Sequence, residues 1–344
     1  MNKSSRSGSV RKSTAAKSAA KSAAKSTSTK PVRTIKPPKG DSFVSPPDGD
    51  IRTLGVFALK GDAGAAVRIV RDFAEAHPGV RVFLNQYLKP HAGKGLTTKP
   101  DAFLAANVDA LLSLGGDGTF LTAARLAHAR GIPVLGVNLG RTGFLADASL
   151  GNLAEILGEL LRRDYALRHR MVLEVEHTRG AKVLLRDVAL NEAAFAGLMG
   201  GQMVELEVRA GGQFLTGYRV DGLLVSTPTG STAYSLSAGG PIVHPSANSL
   251  LITPMNPASL SVRPLILPDS MEIEIRNAAA ASVNLFVDGR ARGELRPGDV
   301  VRVRKHPQRL HIIRPQGGSY FESLRGKLGW TGDMDKRSGR PRSF

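Results

Sequence analysis

A glycine-rich loop, Gly115-Gly116-Asp117-Gly118-Thr119, carries the residues of this chain best suited to phosphate chemistry. Glycines allow positive φ angles and let main-chain N–H groups approach phosphate oxygens. A helix that begins at the loop would add its positive end. A carboxylate beside phosphate is costly unless it has a task, so we expect Asp117 to bind magnesium or to orient and deprotonate a hydroxyl. The alternative is a structural turn in which Asp117 only caps a helix.

The loop differs from other well-known nucleotide-binding patterns. It has no lysine of the G-x-x-x-x-G-K-[ST] type, and no G-x-G-x-x-G motif follows a predicted strand. The chain also has no His-Glu-x-x-His pattern, and its eight histidines are scattered. The absence of these three patterns argues against a P-loop, a hydride-transfer dinucleotide domain and a histidine-bound metal site.

A second candidate site is the segment from Asp221 to Pro241, which has no charged residue after Asp221. It is rich in Ser, Thr and Tyr hydroxyls and is punctuated by Gly and Pro, so small groups and exposed main chain can line a polar ligand. A third, weaker signal is the pair Asn191-Glu192, where an amide beside a carboxylate can bind a diol or an adenine edge.

In their order along the chain, these motifs resemble those of the NAD kinase family. The family has a GGDG loop, an N-x-G-x-x-G-F-L segment (here Asn138 to Leu145), an N-E pair and the sequence S-T-P-T-G-S-T-A-Y. The resemblance runs from about residue 51 to Trp330, and the last motif is its most specific part. It implies transfer of a phosphoryl group from ATP or polyphosphate to the 2′-hydroxyl of the adenosine ribose of NAD. It also implies a homodimer or homotetramer.

The resemblance further implies roles for single residues. Asp117 matches the proton acceptor for the ribose hydroxyl. Asn191 and Glu192 match a pair that holds the riboses, and Asp221 matches a carboxylate that recognises the nicotinamide carboxamide. The other implied nucleotide contacts are Gly115, Gly116, Gly118, Thr119, Gln202, Arg219 and, on the adenine side, Thr232, Ala233, Tyr234, Ser235, Leu236 and Ser237.

Arg290 departs from the family pattern, which often has Gln after the Asp-Gly turn. A guanidinium can donate a bidentate pair to a phosphate of NAD or ATP, which glutamine cannot. The equally open alternative is a surface arginine without a ligand. Because the loop has no lysine, we also expect Mg²⁺ to neutralise the ATP phosphates.

The elements around the motifs predict an α/β plus β fold. Apolar runs such as Ala110–Leu114 alternate with amphipathic helices up to residue 165, which predicts a Rossmann-like parallel α/β domain at 51–165. Short alternating strands and the hairpin turns Gly211-Gly212 and Asp288-Gly289 predict a mainly antiparallel β-sandwich domain that binds NAD at 166–330. We expect the active site in the cleft between the two domains.

Charge is concentrated at the start of the chain. The formal net charge is +18, and residues 1–40 contribute eleven Lys or Arg and no acid. A Lys/Ser/Ala-rich tail at 1–50 is therefore predicted to be disordered, with a short C-terminal tail at 331–344. The basic tail is a solubilising extension, a tether for nucleic acid or another polyanion, or a transit peptide.

Composition excludes further classes. The sequence has no run of about 18 apolar residues, so no membrane span is predicted. The absence of cysteine fits a reducing cytoplasm. Two alternatives stay open at this point. A lipid kinase of the diacylglycerol type would explain the GGDGT loop, and a non-catalytic nucleic-acid-binding protein would explain the basic tail.

Overall fold

A computed structural model describes residues 43–44, 50–140, 143–146, 148–197, 203–314 and 320–330 of the chain. Its strands are β1 Phe43–Val44, β2 Thr53–Phe57, β3 Arg81–Asn85, β4 Thr97–Lys99, β5 Ala110–Leu114, β6 Val134–Asn138, β7 Ala148–Ser149, β8 Ala166–Arg170, β9 Leu173–Arg179, β10 Lys182–Ala189, β11 Glu192–Gly197, β12 Val204–Ala210, β13 Gln213–Val220, β14 Gly222–Ser226, β15 Ser249–Met255, β16 Leu265–Pro268, β17 Ile273–Asn277, β18 Val283–Val287, β19 Arg290–Leu295, β20 Val300–Lys305 and β21 Leu310–Arg314. The helices are α1 Gly64–Ala76, α2 Asp101–Asn107, α3 Asp117–His128, α4 Leu153–Arg162, α5 Tyr234–Ser237 and α6 Tyr320–Leu328, with 3₁₀ turns at Gln86–His91, Leu150–Asn152 and Gly230–Thr232.

The first sheet has the order β1-β8-β21-β6-β5-β2-β3-β4, with β7 beside β6. Every residue of β2 and β5 is buried, as expected for parallel strands that are covered on both faces. Helices α1 and α4 pack on one face, and α2 and α3 pack on the other. Because β5 and β6 are parallel, the glycine loop after β5 and Asn138 at the end of β6 share one edge of the sheet.

Two strands of this sheet come from the segment predicted to form the second domain. After α4 the chain adds β8, leaves to build the sandwich, and returns as β21, which lies between β8 and β6. The α/β sheet therefore extends beyond residue 165, and the predicted division at 165/166 does not separate the sheets. Periodicity shows that a strand exists, but the sheet that it joins depends on distant partners.

Two antiparallel sheets of six strands form the sandwich, in the orders β10-β9-β20-β17-β12-β13 and β16-β15-β14-β11-β18-β19. Their inner faces share one apolar core. The two predicted hairpin turns are confirmed by positive φ angles: 56° and 78° at Gly211 and Gly212, and 47° and 72° at Asp288 and Gly289. The predicted fold class, a parallel α/β domain followed by an antiparallel β-sandwich domain, is confirmed.

Some predictions concern parts of the chain that the structure does not describe. The predicted tails at 1–50 and 331–344 lie outside the described residues, apart from Phe43, Val44 and Asp50, and so does the predicted contact residue Gln202. Within the described residues, no helix combines the length and the apolar character needed to cross a membrane.

Candidate active site

Asp117 is the first residue of α3, and its carboxylate is directed at a neighbouring segment of the chain. The N–H of Phe144 donates to Oδ2 at 2.8 Å, and the N–H of Leu145 donates to Oδ1 at 3.1 Å. Both carboxylate oxygens are thus held by the segment that follows β6. This arrangement argues against the alternative in which Asp117 only caps its own helix.

Glycines allow this arrangement at two points. A Cβ at Gly143 would lie 2.0 Å from Asp117 Oδ1, so only glycine lets the segment approach so closely. Gly115 has a φ of +146°, and a Cβ there would lie 2.7 Å from the Thr119 hydroxyl. In contrast, a Cβ at Gly116 or Gly118 would meet no described atom within 4 Å. That side of the loop borders open space, next to the positive end of α3.

The Asn191-Glu192 pair lies where three distant segments meet. The Asp288 carboxylate accepts hydrogen bonds from the N–H groups of Leu190, Asn191 and Glu192 at 2.9, 2.8 and 3.2 Å. The Thr227 N–H donates to the Asn191 carbonyl at 2.9 Å. Asp288 on the β18–β19 turn and Thr227 after β14 therefore fix the main chain between β10 and β11.

Glu192 is buried, and its electrostatics are unusual. Burial and the nearby Asp288 carboxylate raise the pKa of Glu192 to about 8, against a main-chain hydrogen bond from Tyr234. Glu192 Oε2 has no hydrogen-bond partner among the described residues. A buried carboxyl oxygen without a partner costs free energy unless a ligand bonds to it. Burial also raises the pKa of Asp288, although its three main-chain donors favour the ionised form.

In the hydroxyl-rich segment, some residues are buried and hold the main chain in place, whereas others are exposed. Ser235 is fully buried, and its Oγ lies 2.8 Å from Thr253 Oγ1, so it holds the segment in place. Thr232 donates to the Thr229 carbonyl at 3.2 Å. Tyr234 is 46% exposed and Ser237 is exposed, while Ala233 and Leu236 are half-buried. Of the predicted adenine-side residues, Tyr234 and Ser237 are the most accessible.

The motifs of the two halves meet around one small cavity and along α3. A cavity of about 40 Å³ is lined by Phe144 and Leu145, which hold Asp117, and by Thr229 and Thr232. Arg125 of α3 donates to the Asp187 carboxylate and to the Val188 carbonyl, on the strand that leads to Asn191. The segment that holds Asp117 and the hydroxyl-rich segment therefore line one cavity, and Thr227 bonds the latter to Asn191; we call the space between these motifs the cleft.

Arg290 contacts α3. Its guanidinium donates to the Thr122 hydroxyl, which in turn donates to the Gly118 carbonyl at 3.1 Å. The neighbouring Arg292 donates to Asp187. Arg290 thus lies one helical turn beyond the glycine loop, and its predicted ligand role stays a prediction.

Two predicted residues lie away from this cleft. Asp221 precedes β14 and Thr227 follows it, so the two residues are roughly 20 Å apart at about 3.3 Å per residue. The Asn256 side chain donates to Asp221 Oδ2 at 2.9 Å. The exposed Arg219 lines a separate cavity of about 330 Å³ with Phe214 and Tyr218. Asp221 therefore lies at the opposite end of β14 from Ser226, which pairs with Glu192.

Sequence reasoning missed the groups that hold these side chains. The N–H donors of Phe144 and Leu145 belong to the N-x-G-x-x-G-F-L segment, and main-chain donors leave no signal in the residue types. Asp288 was recognised as a turn residue, but not as an acceptor for residues 190–192. No local signal pointed to α6, whose Lys327 lies with Nζ 4.6 Å from the centroid of the Phe144 ring.

An α/β sheet with a glycine loop at its carboxyl edge, facing a sandwich with a hydroxyl-rich segment, defines a nucleotide phosphotransferase. Residues 61–165 match the ATP-NAD kinase N-terminal domain, and residues 190–315 match the ATP-NAD kinase C-terminal domain. The chain belongs to the NAD kinase family. Its activity is the ATP-dependent phosphorylation of NAD, which confirms the prediction and decides against a lipid kinase.

Individual relatives agree with this assignment. The NAD kinase of Geobacter metallireducens is 42% identical over 242 residues, which cover 70% of this chain and 84% of that protein. The NAD kinase of Gemmatimonas aurantiaca is 41% identical over 232 residues, or 65% and 78% of the two chains. Yeast NADH kinase, solved in complex with NADH, superposes with a TM-score of 0.77 at 27% identity over 88% of this chain and 96% of that one. An Archaeoglobus fulgidus NAD kinase in complex with ATP has the same fold, with a TM-score of 0.64 at 24% identity over 81% and 100%.

Proposed function

We propose that Asp117 orients the 2′-hydroxyl of the adenosine ribose of NAD towards the γ-phosphorus of ATP and accepts its proton. The observation that carries this proposal is the fixed geometry of the carboxylate. Two main-chain N–H groups from residues 144 and 145 hold it at the positive end of α3. Beside it, Gly116 and Gly118 leave room for phosphate groups. A charged group held in this way needs little reorganisation during the reaction.

The reaction places modest demands on the base. The new bond joins the ribose 2′-oxygen to the γ-phosphorus, the bond from that phosphorus to the bridging oxygen of ADP breaks, and the hydroxyl proton passes to Asp117. Phosphoryl transfer proceeds through a loose transition state, so proton removal can be late and positioning dominates. A carboxylate is a weak base towards a ribose hydroxyl, but it is a good hydrogen-bond acceptor for aiming it.

The donor set suits a magnesium ion that enters with ATP. Among the described residues, no group of three or more His, Asp or Glu side chains could hold a metal ion. Mg²⁺ commonly uses one or two carboxylates together with substrate phosphates and water, and here Asp117 is the carboxylate at the glycine loop. When bound, the ion neutralises charge on the phosphates. The N–H groups of Gly115 and Thr119 already donate to the Val137 and Gly116 carbonyls, so those of residues 116–118 supply the further donors.

For NAD itself, we assign the riboses to Asn191 and Glu192 and the adenine side to residues 232–237. The assignment of Glu192 is supported by its buried Oε2, which lacks a partner among the described residues. A carboxyl with a pKa of about 8 is protonated at neutral pH, so it can donate to a ribose oxygen as well as accept from a hydroxyl. Tyr234 offers an exposed ring for stacking on a base.

Asp221 and Arg219 are assigned to the cleft of a second copy of the chain. Asp221 lies roughly 20 Å from Thr227 along β14, so it cannot reach the site of its own chain. If Asp221 recognises the nicotinamide carboxamide, as the sequence predicts, it does so across a subunit interface. This supports the predicted homodimer or homotetramer. The cytoplasmic location and the polyanion contact of residues 1–40 stay predictions.

One assay series tests the proposal as a whole. The purified protein is given NAD with ATP or polyphosphate, with Mg²⁺ or with excess chelator, and NADP is quantified. We expect NADP only when a divalent cation is present. Turnover that is unchanged in the chelator would overturn the magnesium assignment. In mixtures of two inactive variants, Asp117→Asn and Asp221→Ala, hybrid oligomers should regain activity if Asp221 acts in the partner's cleft.

A further inference from the structure

The last described helix, α6, packs against the segment that holds the Asp117 carboxylate. Lys327 Nζ lies 4.6 Å from the centroid of the Phe144 ring, a cation–π distance. On the same helix, Tyr320 and Ser323 line the cavity that Phe144 and Leu145 also line. The helix is anchored by the buried Leu324. The helix therefore contacts the active-site segment through Lys327 and shares a cavity with it.

The opposite end of α6 is fixed to the sandwich side of the cleft. The Tyr320 ring stacks edge-on against His244, with centroids 4.7 Å apart. His244 follows the hydroxyl-rich segment, and the carbonyl of the preceding Val243 accepts a hydrogen bond from Ser231 at 3.1 Å. Thus α6 connects the end of the hydroxyl-rich segment to Phe144, and none of its residues is assigned to the reaction itself.

A short series of contacts leads from this helix to the reacting atoms. Lys327 contacts the ring of Phe144, and the main-chain N–H of Phe144 donates to Asp117 Oδ2 at 2.8 Å. The adjoining Gly143 lies so close that an added Cβ would overlap the carboxylate. Because Asp117 is held in contact with this segment, a shift of Phe144 must re-aim the carboxylate.

We propose that α6 positions Asp117 for phosphoryl transfer, with Lys327 as the positioning residue that acts through Phe144. The inference rests on the role of Asp117 proposed above. Lys327 does not touch the carboxylate, so its effect is on aim and not on proton transfer. Errors of about 1 Å in aim can cost about 100-fold in rate, so even a weak contact at this point has a measurable effect.

The test compares three single variants. Lys327→Met removes the charge and keeps a long apolar stem, Lys327→Arg keeps the charge, and Arg325→Ala removes an exposed charge from the same helix. We expect kcat of Lys327→Met to fall about 3- to 30-fold, the range of a cation–π contact, with KM for NAD and ATP within about twofold. Lys327→Arg should restore most of kcat, and Arg325→Ala should match the wild type.

Several outcomes would overturn the inference. Wild-type kcat in Lys327→Met, or an equal loss in Arg325→Ala, would show that the contact does not aim the carboxylate. A raised KM at unchanged kcat would show that Lys327 binds a substrate directly. If Lys327→Met melts at a lower temperature than the wild type, Lys327→Gln replaces it in the comparison of kcat with Lys327→Arg. Failure of Lys327→Arg to recover kcat would also count against the proposal.

A double-mutant cycle separates this inference from the assignment of Asp117. In an Asp117→Asn background, Lys327→Met should not lower the residual kcat further, because its effect passes through the carboxylate. Additive losses would contradict the positioning role while leaving the role of Asp117 intact. Near-normal turnover of Asp117→Asn alone would instead refute the proposed function.

Discussion

The two sides of the cleft each present a carboxyl group, and they hold it in opposite ways. Asp117 lies at the positive end of α3 beside open glycines, and main-chain N–H groups bond to both of its oxygens. Glu192 lies in the sandwich, buried beside Asp288, with one oxygen left without a partner among the described residues. The α/β side thus fixes a charged group for chemistry, whereas the sandwich side keeps a carboxyl available for a ligand. Changes that disturb Asp117 should therefore lower kcat, whereas changes at Glu192 should raise KM for NAD.

Gly143→Ala should cause a large loss of kcat, the greatest effect expected short of replacing Asp117 itself. Its Cβ would lie 2.0 Å from Asp117 Oδ1, so the carboxylate or the 143–145 segment must move. We expect kcat to fall about 100-fold, the cost of a misplacement of about 1 Å, with KM for NAD little changed. Steady-state kinetics check this. Gly140→Ala is the matched control, since a Cβ there meets no described atom within 4 Å.

Equal kinetics of Gly143→Ala and Gly140→Ala would show that the position of the carboxylate is unimportant. The claim that the α/β side fixes Asp117 for chemistry would then be wrong.

Glu192→Gln should act on binding. The amide keeps the shape of the side chain but places an N–H donor where a carboxyl oxygen can accept a hydrogen bond from a ribose hydroxyl. We expect KM for NAD to rise about 10-fold, as for the loss of one hydrogen bond of about 1.5 kcal/mol, with kcat within about twofold. The exposed Glu294→Gln serves as control. A fall in kcat at constant KM would assign Glu192 to the chemistry and abolish the distinction.

The stability of the wild type relative to this variant should depend on pH. The pKa of Glu192 is raised to about 8 in the folded chain, whereas an unfolded glutamate titrates near 4.3. Stability from this group is therefore complete below about pH 4.3 and is lost as the pH rises through about 8. Urea unfolding at pH 5.5 and pH 8.5 should show the wild type losing up to a few kcal/mol relative to Glu192→Gln. Parallel pH profiles would contradict the burial of an uncompensated carboxyl.

How much of this could be foreseen varies along the chain. The buried run Ala110–Leu114 and the turn Asp288-Gly289 carry local signals, so both elements were predicted correctly. The hydrogen bond from Asn191 to Asp288 spans 97 residues, and the return of β21 to the first sheet spans more than that. Such pairings depend on the packing of the whole chain and leave no local periodicity.

The same limit applies to the candidate site. Motif order identified Asp117, Asn191 and Glu192, because each lies within a short, distinctive sequence. It did not show that Asp221 and Glu192 lie at opposite ends of β14 in a single chain. The separation of the two residues follows only once the bounds of β14 and its pairing with β11 are known. It also gave no sign of Lys327, whose contact with Phe144 requires the last helix to be placed.

Arg290→Gln should give the smallest effect. In the structure, Arg290 bonds to Thr122, and it is an exposed side chain near the loop. An exposed contact of this kind is worth at most about 1 kcal/mol, so we expect KM for NAD or ATP to change at most about fivefold, and less in high salt. Kinetics with each substrate varied at two salt concentrations check this. A larger rise in one KM would place the guanidinium on a phosphate of that substrate.

The most direct test of the division between the two sides is a paired measurement on Asp117→Asn. NAD affinity by calorimetry and NADP formation are measured on the same preparation, after a thermal melt confirms that the variant folds. Our account predicts an NAD Kd within about threefold of the wild type and a kcat lower by about 100- to 10,000-fold. Near-normal turnover, or a loss of NAD binding that accounts for the whole decrease in activity, would contradict it.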